Sequence, residues 1–280
     1  MASHRKIDSH KGDFGHILIL AGSANFIGAA VLCAHAAIRC GAGLVTIGIP
    51  KGLNEVLLKI KPQEVMTLPL PQTKKKTLGV TAYKDIKKFM AKADILAIGP
   101  GLSQNKSTQK LIKKVIKTAG KPMVIDADAL NALSKDLDLL KNAASAIKIV
   151  TPHSAEMMRL TGIDVKSINK NRLNIAKSFA KNYNVTVVLK GKDTVVASQG
   201  KTPYINKTGN PGMSTAGSGD VLTGIIASFL SQGLSAFDAS KYGAFIHGLA
   251  ADIAASKKTQ MGMISSDIID NIPAAIKKYS

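Results

Sequence analysis

Residues 17–49 read ILILAGSANFIGAAVLCAHAAIRCGAGLVTIGI, and their pattern of strand, helix and strand predicts the fold class. The apolar run at 17–21 predicts a buried strand, and a loop of small and polar residues follows it. Residues 28–40 are rich in alanine and predict a helix, and the β-branched run at 44–49 predicts a second strand. Buried strands joined by a helix are typical of a parallel sheet.

The same alternation of strand and helix patterns continues along the chain. Apolar runs that end at turn signals predict further strands at 95–98, 123–126, 147–150 and 185–189, and a hairpin strand at 195–198. Helical patterns lie at 106–118, 154–161, 167–181, 220–230, 236–255 and 265–278, and residues 72–81 should form an exposed loop. These elements predict an α/β fold whose mostly parallel central sheet is covered on both faces by helices.

The 280 residues contain no linker, fixed-period repeat or break in composition, so we expect a single domain over residues 1–280. Ligands of parallel sheets bind at the carboxyl ends of the strands, and here those ends are followed by Gly, Pro, Asp or His clusters. The sequence has neither a G-x-x-x-x-G-K-[ST] motif nor a G-x-G-x-x-G motif after the first strand. This argues against a P-loop enzyme and against a Rossmann dehydrogenase.

The charge of the chain is strongly positive, with 38 basic and 18 acidic residues and a net charge of +20. Only four of the basic residues are arginines, aromatic residues make up 4% and there is no tryptophan, which disfavours a nucleic-acid partner. The lysines lie mainly in predicted helices. They fit ordinary solvated helix faces, and they also fit attraction of a phosphorylated small molecule.

The cysteines and the start of the chain indicate the compartment. Cys33 and Cys40 lie seven residues apart in a predicted helix, about 10 Å along its axis, which is too far for a disulfide. Two reduced cysteines predict a cytoplasmic protein. Residues 1–16 contain no apolar run typical of a signal peptide, and no apolar run is long enough to span a membrane, so we expect no membrane association.

Residues 210–220 read NPGMSTAGSGD, and VLTG follows. Small residues let a backbone approach a ligand closely, and a helix that starts near Ser218 would point free N–H groups at an anion. We therefore predict an anion hole at Ala216, Gly217, Ser218 and Gly219. Asp220 could be an ordinary residue of the first helical turn or a general base, and the complete eleven-residue pattern favours the base.

This loop resembles the signature of the ADP/ATP-dependent NAD(P)H-hydrate dehydratases, a family of the ribokinase-like superfamily. Six further stretches resemble motifs of that family in the same order: HKGDFGH at 10–16, RCGAGLV at 39–45, GPGL at 99–102, DADALN at 126–131, TPHSAE at 151–156 and KGKDT at 190–194. The resemblance covers about residues 10–269. It implies the three-layer α/β/α architecture of ribokinase-like proteins.

The resemblance also implies an activity. Family members use ADP or ATP to phosphorylate the hydroxyl of the S epimer of hydrated NADH or NADPH, and loss of phosphate restores the reduced nicotinamide. The nicotinamide is then a substrate and Mg²⁺ neutralises the nucleotide phosphates. The alternative that stays open is a ribokinase-like alcohol kinase of the hydroxyethylthiazole or hydroxymethylpyrimidine type. His153 and the opening HKG motif fit the dehydratases better.

Carried over position by position, the resemblance assigns roles to individual residues. Asp220 is the general base, and it lines the hydrate site with Ala29, Gly101 and His153. The nucleotide would be bound by Lys190, Gly191, Lys192, Asp193, Thr194 and Gly219, and Glu156 would hold Mg²⁺ through water.

Plainer structural roles stay open for several of these residues. A strand-end turn would account for Gly101, a helix cap for His153, a first-turn carboxylate for Glu156 and a hairpin turn for 190–194. Asp126 and Asp128 should point to different sides, which argues against a shared proton. His247 is expected to be a buried core histidine.

Further expectations concern the residues that differ from the family motifs, metal binding and assembly. The family commonly has glycine where this chain has Ala155 and Ala216, so a positive φ there would predict strain. Four histidines lack partners at metal-ligand spacing, which predicts no zinc site: His4, His10, His16 and His35. The resemblance further implies a homotetramer, a separate epimerase as functional partner, no epimerase domain in this chain, and ADP rather than ATP as donor.

Overall fold

A computed structural model describes residues 6–279 of the chain; His4 lies outside this range. The strands are β1 (His16–Leu20), β2 (Leu44–Pro50), β3 (Met66–Leu70), β4 (Ile95–Ile98), β5 (Met123–Ile125), β6 (Lys148–Val150), β7 (Thr186–Leu189), β8 (Val195–Ala197) and β9 (Tyr204–Ile205). They form one sheet in the order β3-β2-β1-β4-β5-β6-β7-β8-β9. Pairing is parallel from β3 to β7, and β8 and β9 are antiparallel.

Helices connect the strands and cover the sheet. They are α1 (Ile27–Arg39), α2 (Asn54–Ile60), α3 (Tyr83–Met90), α4 (Lys106–Thr118), α5 (Asp128–Leu133), α6 (Asp138–Lys141), α7 (Ser154–Thr161), α8 (Val165–Lys170), α9 (Arg172–Tyr183), α10 (Ser218–Ser231), α11 (Ala236–Gly262) and α12 (Ser265–Tyr279). The backbone of α11 is interrupted at Thr259.

The central strand β1 shows why both faces of the sheet need a helical layer. Successive side chains of a strand point to opposite faces, and four of the five side chains of β1 are buried. Ile17 and Ile19 join the core under α1, α10, α11 and α12, whereas Leu18 and Leu20 join the core under α3, α4 and α9. The predicted three-layer α/β architecture with a mostly parallel sheet is confirmed.

The carboxyl ends of the parallel strands meet at one edge of the sheet. The chain first winds from β1 outward to β3 and then resumes with β4 on the other side of β1. Between β1 and β4 lies the topological switch point, where ligands of such sheets bind. There the Gly22 N–H donates to Pro100 O at 2.8 Å and the Ser23 hydroxyl donates to Gly101 O at 2.8 Å.

Some sequence predictions need correction. Strand β3 was missed because Pro69 lowers strand propensity, but β3 is an edge strand, where proline is tolerated. The expected exposed loop at 72–81 is partly buried, since Thr77 and Leu78 are 4% and 0% exposed. The single helix expected at 167–181 is two helices, α8 and α9, which meet at Asn171.

Candidate active site

The glycine-rich loop ends where α10 begins. Gly217 caps this helix with a φ of 89°, and a Cβ at this position would overlap Cδ1 of Leu32. Glycine is therefore required both for the left-handed backbone and for the close approach of α1. Asp220 lies in the first turn of α10, where backbone N–H groups have no intrahelical partner. The Ser218 N–H donates at 3.4 Å to Thr215 O, which belongs to the preceding loop.

The two alanines that replace family glycines cause no strain. Neither Ala155 nor Ala216 has a positive φ; Ala155 lies in α7, and beside Ala216 it is Gly217 that takes the left-handed conformation. Ala216 O accepts a hydrogen bond from the Ser265 hydroxyl at 2.7 Å, which fixes the loop to the start of α12. The strain expected from these substitutions is absent.

Lys190 and Asp126 form the centre of the buried polar network beside Asp220. Lys190 Nζ lies 2.7 Å from Asp126 Oδ1 and 3.8 Å from Glu156 Oε2. The other Asp126 oxygen accepts a 2.8 Å hydrogen bond from the Thr223 hydroxyl on α10. Burial lowers the pKa of Lys190, but the Asp126 and Glu156 carboxylates outweigh it and hold that pKa above its ordinary value. Asp126 thus connects strand β5, the KGKDT motif and α10.

The pKa of Asp220 is raised to about 7, mainly by burial and next by the negative charge of Asp126, while Lys190 opposes the shift. A carboxyl group in this range accepts a proton near neutral pH far better than an ordinary aspartate, because its conjugate acid is weaker. Perturbed carboxyl groups of this kind cluster at functional sites. The surroundings of Asp220 therefore suit it to act as a general base.

His153 caps α7 and also reaches the site. Its Nδ1 accepts the N–H groups of Ala155 and Glu156 at 3.1 and 3.3 Å, and the Glu156 carboxylate accepts the His153 N–H at 2.8 Å. Burial lowers the pKa of His153, so the ring is neutral at pH 7. Because Nδ1 accepts hydrogen bonds, the ring proton lies on Nε2, 3.6 Å from Glu156. The helix cap that was the plainer alternative for His153 is present, and the half-exposed ring also lines the cavity beside the KGKDT motif.

A cavity of about 960 Å³ separates the KGKDT motif from the glycine-rich loop. Residues 190–194 form one wall, and residues 206–211, 213–215, 218 and 219 form another. The backbone of the motif is fixed by a turn in which the Thr194 hydroxyl donates to Gly191 O at 2.9 Å. A Cβ at Gly219 would lie 3.2 Å from Lys190 Nζ, so the two walls meet there. The predicted nucleotide residues therefore surround one space.

Two of the predicted hydrate residues, Ala29 and Gly101, lie at the switch point, whereas His153 lines the cavity. Gly101 has a φ of 61°, and a Cβ there would lie 2.6 Å from Phe26 Cβ and 3.1 Å from Ala29 Cβ. Cys33, one helical turn after Ala29, has its thiol pKa raised by burial and also by the charges of Asp220 and Asp126. Ala29 and Cys33 share a face of α1. Asp220 directly follows Gly219 of the cavity lining, and its charge also acts on Cys33 on this face of α1.

Asp126 and Asp128 have separate partners, as expected. Asp128 accepts a 2.7 Å hydrogen bond from the Ser103 N–H and a 3.2 Å bond from Asn131 Nδ2. Arg159 Nη1 donates to Asn131 Oδ1 at 2.7 Å. These contacts order the loops after β4 and β5 at the edge of the switch point. Sequence analysis missed Thr223 as the Asp126 partner, because only the fold shows that it lies opposite β5.

The part of the chain that the structure describes contains neither a cluster of metal ligands nor a helix suited to cross a membrane. Within residues 6–279 no three His, Cys, Asp or Glu side chains are grouped closely enough to hold a metal ion by themselves. Over the same range no helix combines the length and the apolar character that a membrane crossing requires.

Comparisons with known proteins agree with this geometry. The family model described as NAD(P)H-hydrate dehydratase matches residues 17–274. The chain belongs to this family. It is 38% identical over 252 residues to the ADP-dependent (S)-NAD(P)H-hydrate dehydratase of Neisseria meningitidis, covering 89% of this chain and 80% of that protein.

Longer relatives carry this family as one part. The chain is 42% identical over 273 residues to a bifunctional NAD(P)H-hydrate repair enzyme of Moorella thermoacetica, covering 98% of this chain and 51% of that protein. It thus spans about half the length of the bifunctional relatives that it matches.

Solved structures support the same fold. The ADP/ATP-dependent NAD(P)H-hydrate dehydratase of Bacillus subtilis, co-crystallized with ATP/Mg²⁺, has a TM-score of 0.83 at 29% identity, covering 99% of this chain and 94% of that one. A ribokinase of Arabidopsis thaliana, 16% identical, has a TM-score of 0.55 over 91% of this chain and 98% of its own. The second likeness concerns the fold alone and identifies it as ribokinase-like.

Proposed function

We propose that this protein uses ADP or ATP to dehydrate the S epimer of hydrated NADH or NADPH and so restores the reduced nicotinamide. The observation that carries the proposal is the position of Asp220. Asp220, whose pKa is raised to about 7, follows Gly219 of the cavity lining, and its charge acts on Cys33, one helical turn after Ala29. We infer that it is a base between the cavity and the switch-point loops at Gly101 and Ala29. A group at this junction can deprotonate a hydroxyl on one side while it attacks a phosphoryl group on the other.

The reaction has two steps in sequence. The substrate hydroxyl oxygen bonds to the terminal phosphorus of the nucleotide as Asp220 accepts its proton, and the bond from phosphorus to the bridging oxygen breaks to release AMP or ADP. The phosphate then leaves with the electron pair of its bond to carbon, and the neighbouring carbon loses a proton to form the double bond. Phosphate is a far better leaving group than hydroxide, which explains why a nucleotide is consumed.

The first step places negative charge on the transferring phosphoryl group. We assign the stabilisation of this charge to the N–H groups at the start of α10, from Ala216 to Gly219, together with the positive end of the helix dipole. Lys190 lines the cavity, and its ammonium group would neutralise a phosphate oxygen. We assign Gly191, Lys192, Asp193 and Thr194 to the remainder of the nucleotide, because they continue the same wall.

Mg²⁺ fits this site as an ion brought by the nucleotide. Magnesium keeps several waters and is commonly held by one or two carboxylates together with substrate phosphates, so a complete protein cage is not required. Glu156 is 6% exposed, and one of its oxygens accepts the backbone N–H of His153, so we assign it a contact with the ion through water. When bound, Mg²⁺ would neutralise charge on the phosphates.

The wider setting is also part of the proposal. We place the protein in the cytoplasm as a single domain, supported by the free, buried cysteines Cys33 and Cys40. Apolar side chains exposed at the edge of the sheet, on α2 and β3, support association between copies, and the family resemblance favours a tetramer: Val56, Leu58, Ile60 and Met66. A separate epimerase would supply the S epimer from the R epimer.

The near-ultraviolet absorbance of reduced nicotinamide tests this function, since the hydrate does not absorb there. Purified protein with hydrated NADH and Mg²⁺ should show a rise when ADP or ATP is added, with one phosphate released for each NADH formed. Parallel runs with each nucleotide identify the donor. A stable phosphorylated product without any rise would instead support the alcohol kinase alternative.

A further inference from the structure

His247 is a buried titratable residue that the proposed reaction does not yet use. It lies on α11, is 6% exposed and lines the 960 Å³ cavity. Its Nε2 is 3.3 Å from the hydroxyl oxygen of Ser218, the first residue of α10. Ser218 lines the same cavity, so the pair connects α11 to the end of α10 where the phosphoryl group would be held.

The surroundings of His247 keep the ring uncharged. Burial is the main cause that lowers its pKa to about 4, and the ammonium of Lys190 lowers it further. A neutral imidazole carries one N–H donor and one acceptor nitrogen, and the Ser218 hydroxyl has a single proton. If Nε2 carries the imidazole proton, it donates to the serine oxygen, and the hydroxyl proton stays available for another acceptor.

The rest of α11 fixes the same side of the cavity. Ala244 O and Phe245 O accept hydrogen bonds from Asn206 Nδ2 at 3.2 Å and from the Thr208 hydroxyl at 2.9 Å. Asp252 accepts the Gly209 N–H and the Asn210 amide, both at 2.9 Å. Helix α11 therefore fixes the wall segment 206–210 and, through His247, also contacts the Ser218 hydroxyl.

We propose that His247 is a positioning residue for phosphoryl transfer, whose Nε2–H donates to Ser218 Oγ and thereby directs the Ser218 hydroxyl proton toward an oxygen of the transferring phosphoryl group. This inference rests on the proposed nucleotide site, but it does not depend on which alcohol receives the phosphoryl group. Ser218 acts on the substrate directly, and His247 acts through Ser218.

Kinetics of matched variants test the inference. His247→Met keeps an apolar volume without a donor, His247→Gln retains an N–H donor, and Ser218→Ala removes the hydroxyl. We expect His247→Met and Ser218→Ala each to lower kcat about 10- to 100-fold with KM for ADP changed less than about threefold, and His247→Gln to recover most of the loss. The double variant should be no slower than Ser218→Ala, since both remove one interaction.

A binding measurement separates this inference from the proposed function. AMP with vanadate, a mimic of the transferring phosphoryl group, requires no hydrated nicotinamide, and calorimetry reports its affinity. His247→Met and Ser218→Ala should each weaken vanadate binding about tenfold while AMP alone binds as in the wild type. The function could fail in the turnover assay while this pattern holds, or the reverse.

Three results would overturn the inference. The first is wild-type kcat or vanadate affinity in the His247→Met protein with its fold intact by circular dichroism. The second is an equal loss in His247→Gln and His247→Met, which would show that the side chain serves packing only. The third is ring-nitrogen NMR of the wild type that finds the proton of His247 on Nδ1.

Discussion

Asp126 and Asp220 are neighbouring carboxylates whose surroundings give them different tasks. Asp126, 1% exposed, is held by the Lys190 ammonium and the Thr223 hydroxyl and serves as an anchor. Asp220 experiences burial and the charge of Asp126, which raise its pKa to about 7. Two carboxylates whose environments differ in this way are the usual signature of divided roles in an active site.

The pH dependence of turnover follows from this shift. Asp220 must be ionised to accept a proton, so activity is lost as the pH falls through about 7. We expect kcat to fall about tenfold per pH unit below that value, where the protonated form dominates. Steady-state rates with saturating ADP between about pH 5 and about pH 9 measure it. Calorimetric ADP affinity over the same range is the control, and a flat kcat profile would contradict the base assignment.

Lys190 is expected to matter for the nucleotide more than for the hydrate. Lys190→Ala should weaken ADP binding at least about tenfold, because a charge beside the phosphates is lost, and it should also lower the melting temperature by leaving Asp126 unpaired. Lys201→Ala is the matched control, since Lys201 is exposed and does not line the cavity. Calorimetry with ADP and with hydrated NADH measures both affinities. Unchanged ADP affinity would remove Lys190 from the nucleotide site.

At the scale of elements, the sequence predicted what local pattern controls and missed what tertiary contacts control. Helices α4 and α7 were predicted with the observed limits because caps and periodicity mark both ends. The short helix α2 and strand β3 were missed, since their apolar side chains are partly exposed and show no clean period. The loop at 72–81 looked exposed, but Thr108 on α4 donates to Leu78 O and buries it, which no local pattern reveals.

The glycine-rich loop offers a test at this scale. Gly217→Ala should destabilise the fold by more than about 1 kcal/mol and lower turnover strongly, because a Cβ would be strained at a φ of 89° and would overlap Leu32. Ala216→Gly is the neighbouring control, because Ala216 has no positive φ, and it should leave turnover close to that of the wild type. Urea unfolding and steady-state rates provide the readouts. Equal effects of the two changes would contradict the assigned loop geometry.

At the scale of the whole molecule, strand order explains why a list of candidate residues could not show how those residues are arranged in space. Every role that the family resemblance implied falls just after the carboxyl end of a strand, in the first turn of the helix that follows, or on the glycine-rich loop and the first turn of α10. The order of the strands depends on long-range pairing, so the sequence could not show that Gly101 meets Phe26 or that Lys190 meets Asp126. The roles of Thr223 and His247 depend on the same pairing and emerged only from the fold.

The net charge of +20 belongs to this scale as well. An excess of lysine attracts anionic substrates over distances comparable with the Debye length, so it affects encounter rather than chemistry. We expect kcat/KM for ADP to fall several-fold as salt is raised from about 0.05 M to about 0.5 M, with kcat little changed. Stopped-flow ADP binding at each salt concentration measures it. A fall in kcat instead would place the salt effect in the chemical step.

We assign Asp220 as the base that accepts the proton of the hydrate hydroxyl at the switch point as this hydroxyl attacks the nucleotide in the cavity. The most direct measurement compares Asp220→Asn with the wild type in a single turnover of hydrated NADH with ADP and Mg²⁺, followed by nicotinamide absorbance. We predict that the variant loses nearly all turnover but binds ADP with an affinity within about threefold of the wild type, because the amide keeps the shape and cannot accept the proton. Turnover at the wild-type rate in Asp220→Asn would contradict the account.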